Sequence, residues 1–143
     1  MGDRIVIDAS VAIKWFLRDE TGIARAEDLL TEILASRLTA VAPAHMPFEL
    51  CNGMRRAVGL RRITRDDAND AISDFFDIPV QIGRGNRFYY QKTLDVSLEH
   101  KLIAQDAAYL ALAASTGSSL ATGDKQLAAA AEMAGVKTIR IGI

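Results

Sequence analysis

Four acidic residues are placed where they could do chemistry. Asp8 closes the apolar run Ile5-Val6-Ile7, Glu49 follows Pro47-Phe48, Asp106 opens an otherwise apolar stretch, and Asp124 follows Thr122-Gly123. Carboxylates suit hard cations such as Mg²⁺, which take oxygen ligands and keep several waters. Carboxylates that converge repel one another until a cation relieves the repulsion. The cation can then activate water and hold a phosphate. Each residue also has an ordinary reading. Asp8 and Asp124 could be helix N-caps, with Ser10 an alternative cap beside Asp8. Asp106 could be a first-turn charge favoured by the helix dipole, and Glu49 a solvated side chain. Gly53, four residues after Glu49, would leave open space on the same helix face.

The surrounding pattern supplies elements to position these groups. Short apolar or β-branched segments at 5–7, 39–42, 79–82, 119–121 and 138–141 read as strands. Helical spacing of apolar residues marks 10–17, 23–38, 48–60, 64–76, 87–102, 106–116 and 124–134. Thr64 followed by Arg65-Asp66-Asp67 is a capping signal, and Gly135 a C-terminal one. Alternation of strands and helices predicts a three-layer α/β/α sandwich around a parallel sheet of about five strands, with residues 1–143 forming one domain. Ligands of such sheets bind beyond the carboxyl ends of the strands. Right-handed crossovers allow the ends of the first and fourth strands, and so Asp8 and Asp124, to lie side by side.

Composition removes several classes. Half of the 143 residues are hydrophobic, which excludes a disordered chain. A formal net charge of −1 argues against coating nucleic acid by bulk charge, although an acidic site can offset basic residues elsewhere. Cys51 is alone, so no intramolecular disulfide forms, and two histidines make a His/Cys zinc site a poor reading. No apolar run reaches the roughly 18 residues of a membrane span. The expectation is a soluble cytoplasmic protein.

Arg55-Arg56, Arg61-Arg62 and Arg65 form one basic cluster, and Arg84 and Arg87 flank a Gly-Asn pair in another. They read either as solvated surface or as contacts for RNA phosphates or a partner. Trp15, Phe16, Phe88, Tyr89 and Tyr90 could stack bases, with Trp15 and Phe16 equally suited to a core or a subunit interface. Lys14 reads as a phosphate contact or a solvated lysine, and Cys51 as a small core residue. His45 and His100 show no catalytic pattern.

The segments Ile7-Asp8-Ala9-Ser10-Val11-Ala12-Ile13-Lys14-Trp15, Pro47-Phe48-Glu49-Leu50-Cys51-Asn52, Asp106-Ala107-Ala108-Tyr109-Leu110-Ala111-Leu112-Ala113 and Thr122-Gly123-Asp124-Lys125-Gln126-Leu127 together resemble the PIN-domain family, in particular VapC-like toxins. The resemblance covers nearly the whole chain, with residues 60–100 matching only in helical character. It implies that Asp8, Glu49, Asp106 and Asp124 form one acidic catalytic pocket for Mg²⁺ or Mn²⁺, supported by the hydroxyls of Ser10 and Thr122. It further implies cleavage of RNA, a homodimer, and neutralisation by a small antitoxin. Gln105 stands where relatives commonly carry an aromatic residue. A catalytically silent PIN-like module binding protein or RNA is the competing reading. A haloacid-dehalogenase-like phosphatase would need a second Asp at the position of Ser10, and a receiver domain an acidic pair and a lysine that this chain does not place.

Overall fold

The computed structural model describes residues 3–143. In chain order these form β1 (Asp3–Ile7), α1 (Ala9–Lys14), α2 (Ile23–Leu34), β2 (Leu38–Pro43), α3 (Met46–Gly59), α4 (Arg65–Phe75), β3 (Val80–Gly83), α5 (Arg87–His100), α6 (Ala104–Thr116), β4 (Ser119–Thr122), α7 (Lys125–Met133) and β5 (Thr138–Arg140). All five strands pair in parallel, in the order β3-β2-β1-β4-β5. The three-layer α/β/α reading therefore holds.

The order carries the functional geometry. The chain moves outward from β1 through β2 to β3, then returns to the other side of β1 to lay down β4 and β5. Right-handed connections running in opposite directions place their helices on opposite faces. Accordingly α1 packs with α2 and α3, and α3 with α4, while α6 packs with α5 and α7. The reversal falls between β1 and β4, which pair through Ile5 with Ser119, Val6 with Leu120 and Ile7 with Ala121. At such a switch point the loops leaving the two strands diverge to opposite faces and open a crevice. The strands themselves are buried from both sides, Val6, Ile7, Leu120 and Ala121 completely so. That is why they read as continuous apolar runs rather than alternating ones.

Local chemistry sets the element boundaries. The second helix ends at Leu34, four residues before the expected 38, because Ser36 takes a left-handed conformation (φ 60°). The N–H groups of Ser36 and Arg37 then close on the carbonyls of Ile33 and Glu32, a C-terminal cap that frees Leu38 to begin β2. Thr64 and Asp67 form a reciprocal capping box at the start of α4. Trp15 is buried, and its indole N–H donates to the Ala26 carbonyl at 2.9 Å. It belongs to the chain's own core and is no anchor for a second subunit. Cys51 is exposed, not a core residue.

Gly53 has a different role from the open space expected of it. A Cβ there would lie 2.5 Å from Ile13 Cδ1, so the Ile13 side chain occupies the room that the glycine leaves. This lets α1 and α3 approach, and with them Asp8 and Glu49. Gly53→Leu is expected to lower stability by about 1–3 kcal/mol through overpacking. Gly53→Ala should be nearly neutral, because the displaced atom ends a flexible side chain and alanine favours helix. Urea denaturation of the two variants measures this; equal midpoints would show that the contact is slack.

Candidate metal centre

Asp8 is the most firmly held of the acids. Its backbone continues the sheet, its N–H donating to the Ala121 carbonyl at 3.1 Å. The residue occupies the N-cap position of α1, yet its side chain makes no capping bond. Instead Oδ2 accepts from Ser10 Oγ at 2.9 Å and from Thr122 Oγ1 at 2.7 Å. Asp8 is only 7% exposed and Thr122 fully buried. Burial holds the Asp8 carboxyl above its ordinary pKa, and the hydroxyls of Thr122 and Ser10 partly offset the rise. The cap reading of Asp8 is thereby removed.

The same hydroxyls build the opposite wall. Ser10 Oγ accepts from the Gly123 N–H at 2.8 Å, and Thr122 Oγ1 from the Asp124 N–H at 3.0 Å. Gly123 is tightly confined: a Cβ there would stand 3.1 Å from the Ile141 carbonyl oxygen, 3.3 Å from Ser10 Oγ and 3.4 Å from Lys14 Cε. Asp124 does cap α7, with Oδ1 accepting from the Leu127 N–H at 3.0 Å. Only that oxygen is engaged in the cap, so the cap and ligand readings of Asp124 are compatible.

Asp106 lies in the first turn of α6. Burial first, then the charges of Asp124, Asp8 and Glu49, push its carboxyl up to about 6. Asp8, Glu49 and Asp124 thus lie within electrostatic reach of Asp106, and Glu49 within reach of Asp8. Among the described residues, however, no three acid, histidine or cysteine side chains are arranged to hold a metal ion as they stand. The donors are all oxygen and the arrangement is open. Such a set fits a hard cation that retains water better than a closed protein cage.

Two neighbours were not read as functional from the sequence. Tyr109 is fully buried, three residues beyond Asp106, and its hydroxyl donates to Glu49 Oε1 at 2.6 Å. Its own pKa is raised, chiefly by burial and then by the charges of Asp8 and Glu49. His45 Nε2 lies 3.2 Å from the same Glu49 oxygen and 3.0 Å from the Gln105 carbonyl. Because a carbonyl only accepts, this nitrogen carries hydrogen. The hydrogen bond to Glu49 leads the effects that raise the His45 pKa. The two rings meet edge to face at 5.2 Å. The spacing of His45 and Glu49 across Pro47 was the one available hint. Lys14 is buried rather than solvated, its stem lying against Gly123.

An α/β/α sheet with a buried carboxylate at its switch point, held by hydroxyls from α1 and β4, defines a fold and site of one kind. Residues 5–133 match the PIN domain, and the chain belongs to the PIN-domain family. It is 32% identical to Ribonuclease VapC12 of Mycobacterium tuberculosis, over 87% of this chain and 89% of that protein. Among solved structures, PAE2754 of Pyrobaculum aerophilum superposes with a TM-score of 0.70 at 20% identity, covering 96% and 92% of the two chains. VapC20 of M. tuberculosis, described as a toxin that cleaves the sarcin–ricin loop, gives 0.68 at 16%, covering 95% and 98%. VapBC2 of Rickettsia felis, bound to a fragment of its promoter DNA, gives 0.63 at 14%, covering 96% and 98%.

The raised Asp106 pKa has a consequence for stability. A carboxyl whose folded pKa exceeds its unfolded value stabilises the fold below the unfolded pKa, and this contribution is lost as pH rises through the folded one. In EDTA, the melting temperature of the wild type is therefore expected to fall, relative to Asp106→Asn, between about pH 4 and the folded value of about 6. Parallel curves for the two proteins across that window would show that neither burial nor the other acids raise the Asp106 pKa.

Proposed function

We propose that the chain is a metal-dependent ribonuclease that hydrolyses RNA phosphodiesters, the toxin of a VapBC-type toxin–antitoxin pair. The observation that carries this reading is the Asp8 carboxylate, buried at the switch point and fixed by Thr122 and Ser10, with Asp106 in electrostatic reach of it and of Glu49 and Asp124. The likeness to Ribonuclease VapC12 over most of both chains supports RNA as the substrate.

In this reading Asp8, Glu49, Asp106 and Asp124 hold Mg²⁺ or Mn²⁺. When bound, the ion supplies an activated water and offsets the charge that builds on the phosphate oxygens. The chain's own groups set the stage for this. Thr122 and Ser10 fix one Asp8 oxygen, and the cap at Leu127 fixes one Asp124 oxygen. Tyr109 and His45 both hold Glu49 Oε1, which keeps this otherwise flexible side chain turned inward from α3. Such outer partners orient ligands and tune their affinity.

The chain would act as one domain and as a homodimer, with a small antitoxin as its regulator and the cytoplasm as its compartment. The VapBC2 assembly supports the partner class. For the compartment, no helix among the described residues is long and apolar enough to cross a membrane.

Total RNA incubated with pure protein and Mn²⁺ or Mg²⁺ should be cleaved, and EDTA should abolish cleavage. Asp8→Asn preserves shape while removing charge. It should lower the rate by at least the roughly 10–100-fold that loss of even an outer-shell partner costs a metal site. Cleavage that persists in EDTA, or that is equal in the variant, would sink the mechanism. Mn²⁺ at about a hundred times its Kd should add roughly 2.7 kcal/mol to the wild type and less to Asp8→Asn. A catalytically silent module would give no site-dependent shift in melting.

A further inference from the structure

Beside the acidic centre runs a groove whose chemistry the site does not use. Its near end is lined by His45, Gln105, Ala108 and Tyr90. Its far end, a cavity of about 460 Å³, is lined by Arg84, Asn86, Phe88, Lys92, Ser115 and Thr116. Pro43, Gly85 and Tyr89 border both, so the two cavities adjoin along the α5–α6 face. The near end adjoins the acids through two of its lining residues: His45, which contacts Glu49, and Gln105, which precedes Asp106 in the chain. Arg84 directly follows β3, at the sheet edge that also carries Asp8. β3 is two places from β1 in the sheet, an offset of about 10 Å at the usual strand spacing.

The walls are rigid where they need support and exposed where they could bind. Tyr89 OH donates to the Ala108 carbonyl at 2.9 Å, pinning α5 to α6. Asn86 caps α5 through the Tyr89 N–H. A Cβ on Gly85 would come within 2.7 Å of the Tyr89 ring and 2.8 Å of the Tyr90 ring, so the loop backbone lies directly against both aromatics. Phe88 and Tyr90 nevertheless remain 75% and 60% exposed. Arg84, Arg87 and Lys92 form no salt bridge among the described residues. Arg62, by contrast, is tied to Asp19 and Glu20, Arg37 to Glu32 and Arg140 to Glu132.

Unpaired cations alternating with exposed aromatic faces suit a single strand of nucleic acid: cations track the backbone and aromatics stack the bases. We propose that this groove is a substrate subsite for unpaired RNA flanking the scissile phosphate, with a base stacked on Tyr90 or Phe88 and the backbone held by Arg84 and Lys92. The assignment rests on the ribonuclease reading. It gives the enzyme a grip on a neighbouring nucleotide that is independent of the metal. It also favours substrates whose bases are already unstacked, because stacking on a side chain requires a free base face.

The test measures binding of a fluorescein-labelled, single-stranded RNA of about ten nucleotides in EDTA, over a series of salt concentrations. It compares wild type, Tyr90→Ala, Tyr90→Trp and Arg84→Gln. Tyr90→Ala should bind about tenfold more weakly, while Tyr90→Trp should retain affinity. Arg84→Gln should reduce the slope of log affinity against log salt by about 0.7. All four proteins should keep the same melting temperature and the same mass in solution. Equal affinity and slope in all four would overturn the subsite while leaving the nuclease intact, provided that wild type cleaves total RNA with Mn²⁺. A wild type that neither binds the oligomer nor cleaves RNA would overturn both readings. Unchanged RNA binding with an altered mass in Tyr90→Ala would assign the groove to a protein interface instead.

Discussion

The structure depends on one buried carboxylate. Placing Asp8 at the seam of two parallel strands is unfavourable by itself, because a charge removed from water must be matched by hydrogen bonds or neutralised. The match comes from the other side of the seam: Thr122 ends β4, 114 residues later in the chain, and its hydroxyl reaches the Asp8 oxygen at 2.7 Å. Ser10 completes it and also receives the Gly123 N–H. These bonds link the two loops that diverge at the switch point. Folding and site assembly are therefore one event. The β1–β4 pairing that closes the sheet also creates the acidic crevice.

That arrangement leaves an imbalance in the folded state. Hydroxyls satisfy Asp8 but cancel no charge, and Asp106, in the first turn of α6, feels the charges of Asp124, Asp8 and Glu49 as well. First-turn placement and capping relieve part of the load for Asp106 and Asp124, since helix N-termini favour negative charge. The relief is incomplete at Asp106, which retains its proton to about 6. Crowding these acids costs stability that a bound cation would return, the usual relation between a strained site and its ligand.

Much of this was legible in the sequence because it rests on local pattern. Ile5–Ile7 is apolar throughout, as a doubly covered strand must be, and Thr64 with Asp67 announces a helix start. The four acids stood out because each lies at a strand exit or within a helix's first turns. Features that depend on distant partners were not legible. Ser36 stops α2 through a left-handed conformation that serine only rarely adopts. Gly53 resembled an opening until the Ile13 side chain filled it. Tyr109 and His45 looked incidental because Tyr109 meets Glu49, and His45 meets Gln105, only across α3 and α6. Lys14 sits at a position that any solvated lysine could hold, and only its packing against Gly123 distinguishes it.

Net charge concealed a similar distribution. A chain at −1 overall offers RNA no long-range attraction, so any grip must be local. Several of its arginines are already neutralised by nearby acids, as Arg62, just after α3, is by Asp19 and Glu20 of the α1–α2 loop. Pairs of this kind are largely exposed and each contributes little to stability, but they remove cations from the surface available to a polyanion. What remains unpaired along the α5–α6 groove lies beside an acidic centre that would itself repel phosphate. A divalent cation at that centre would cancel part of this charge and weaken the repulsion. Metal loading and RNA approach would then be coupled through electrostatics alone, with no change of shape.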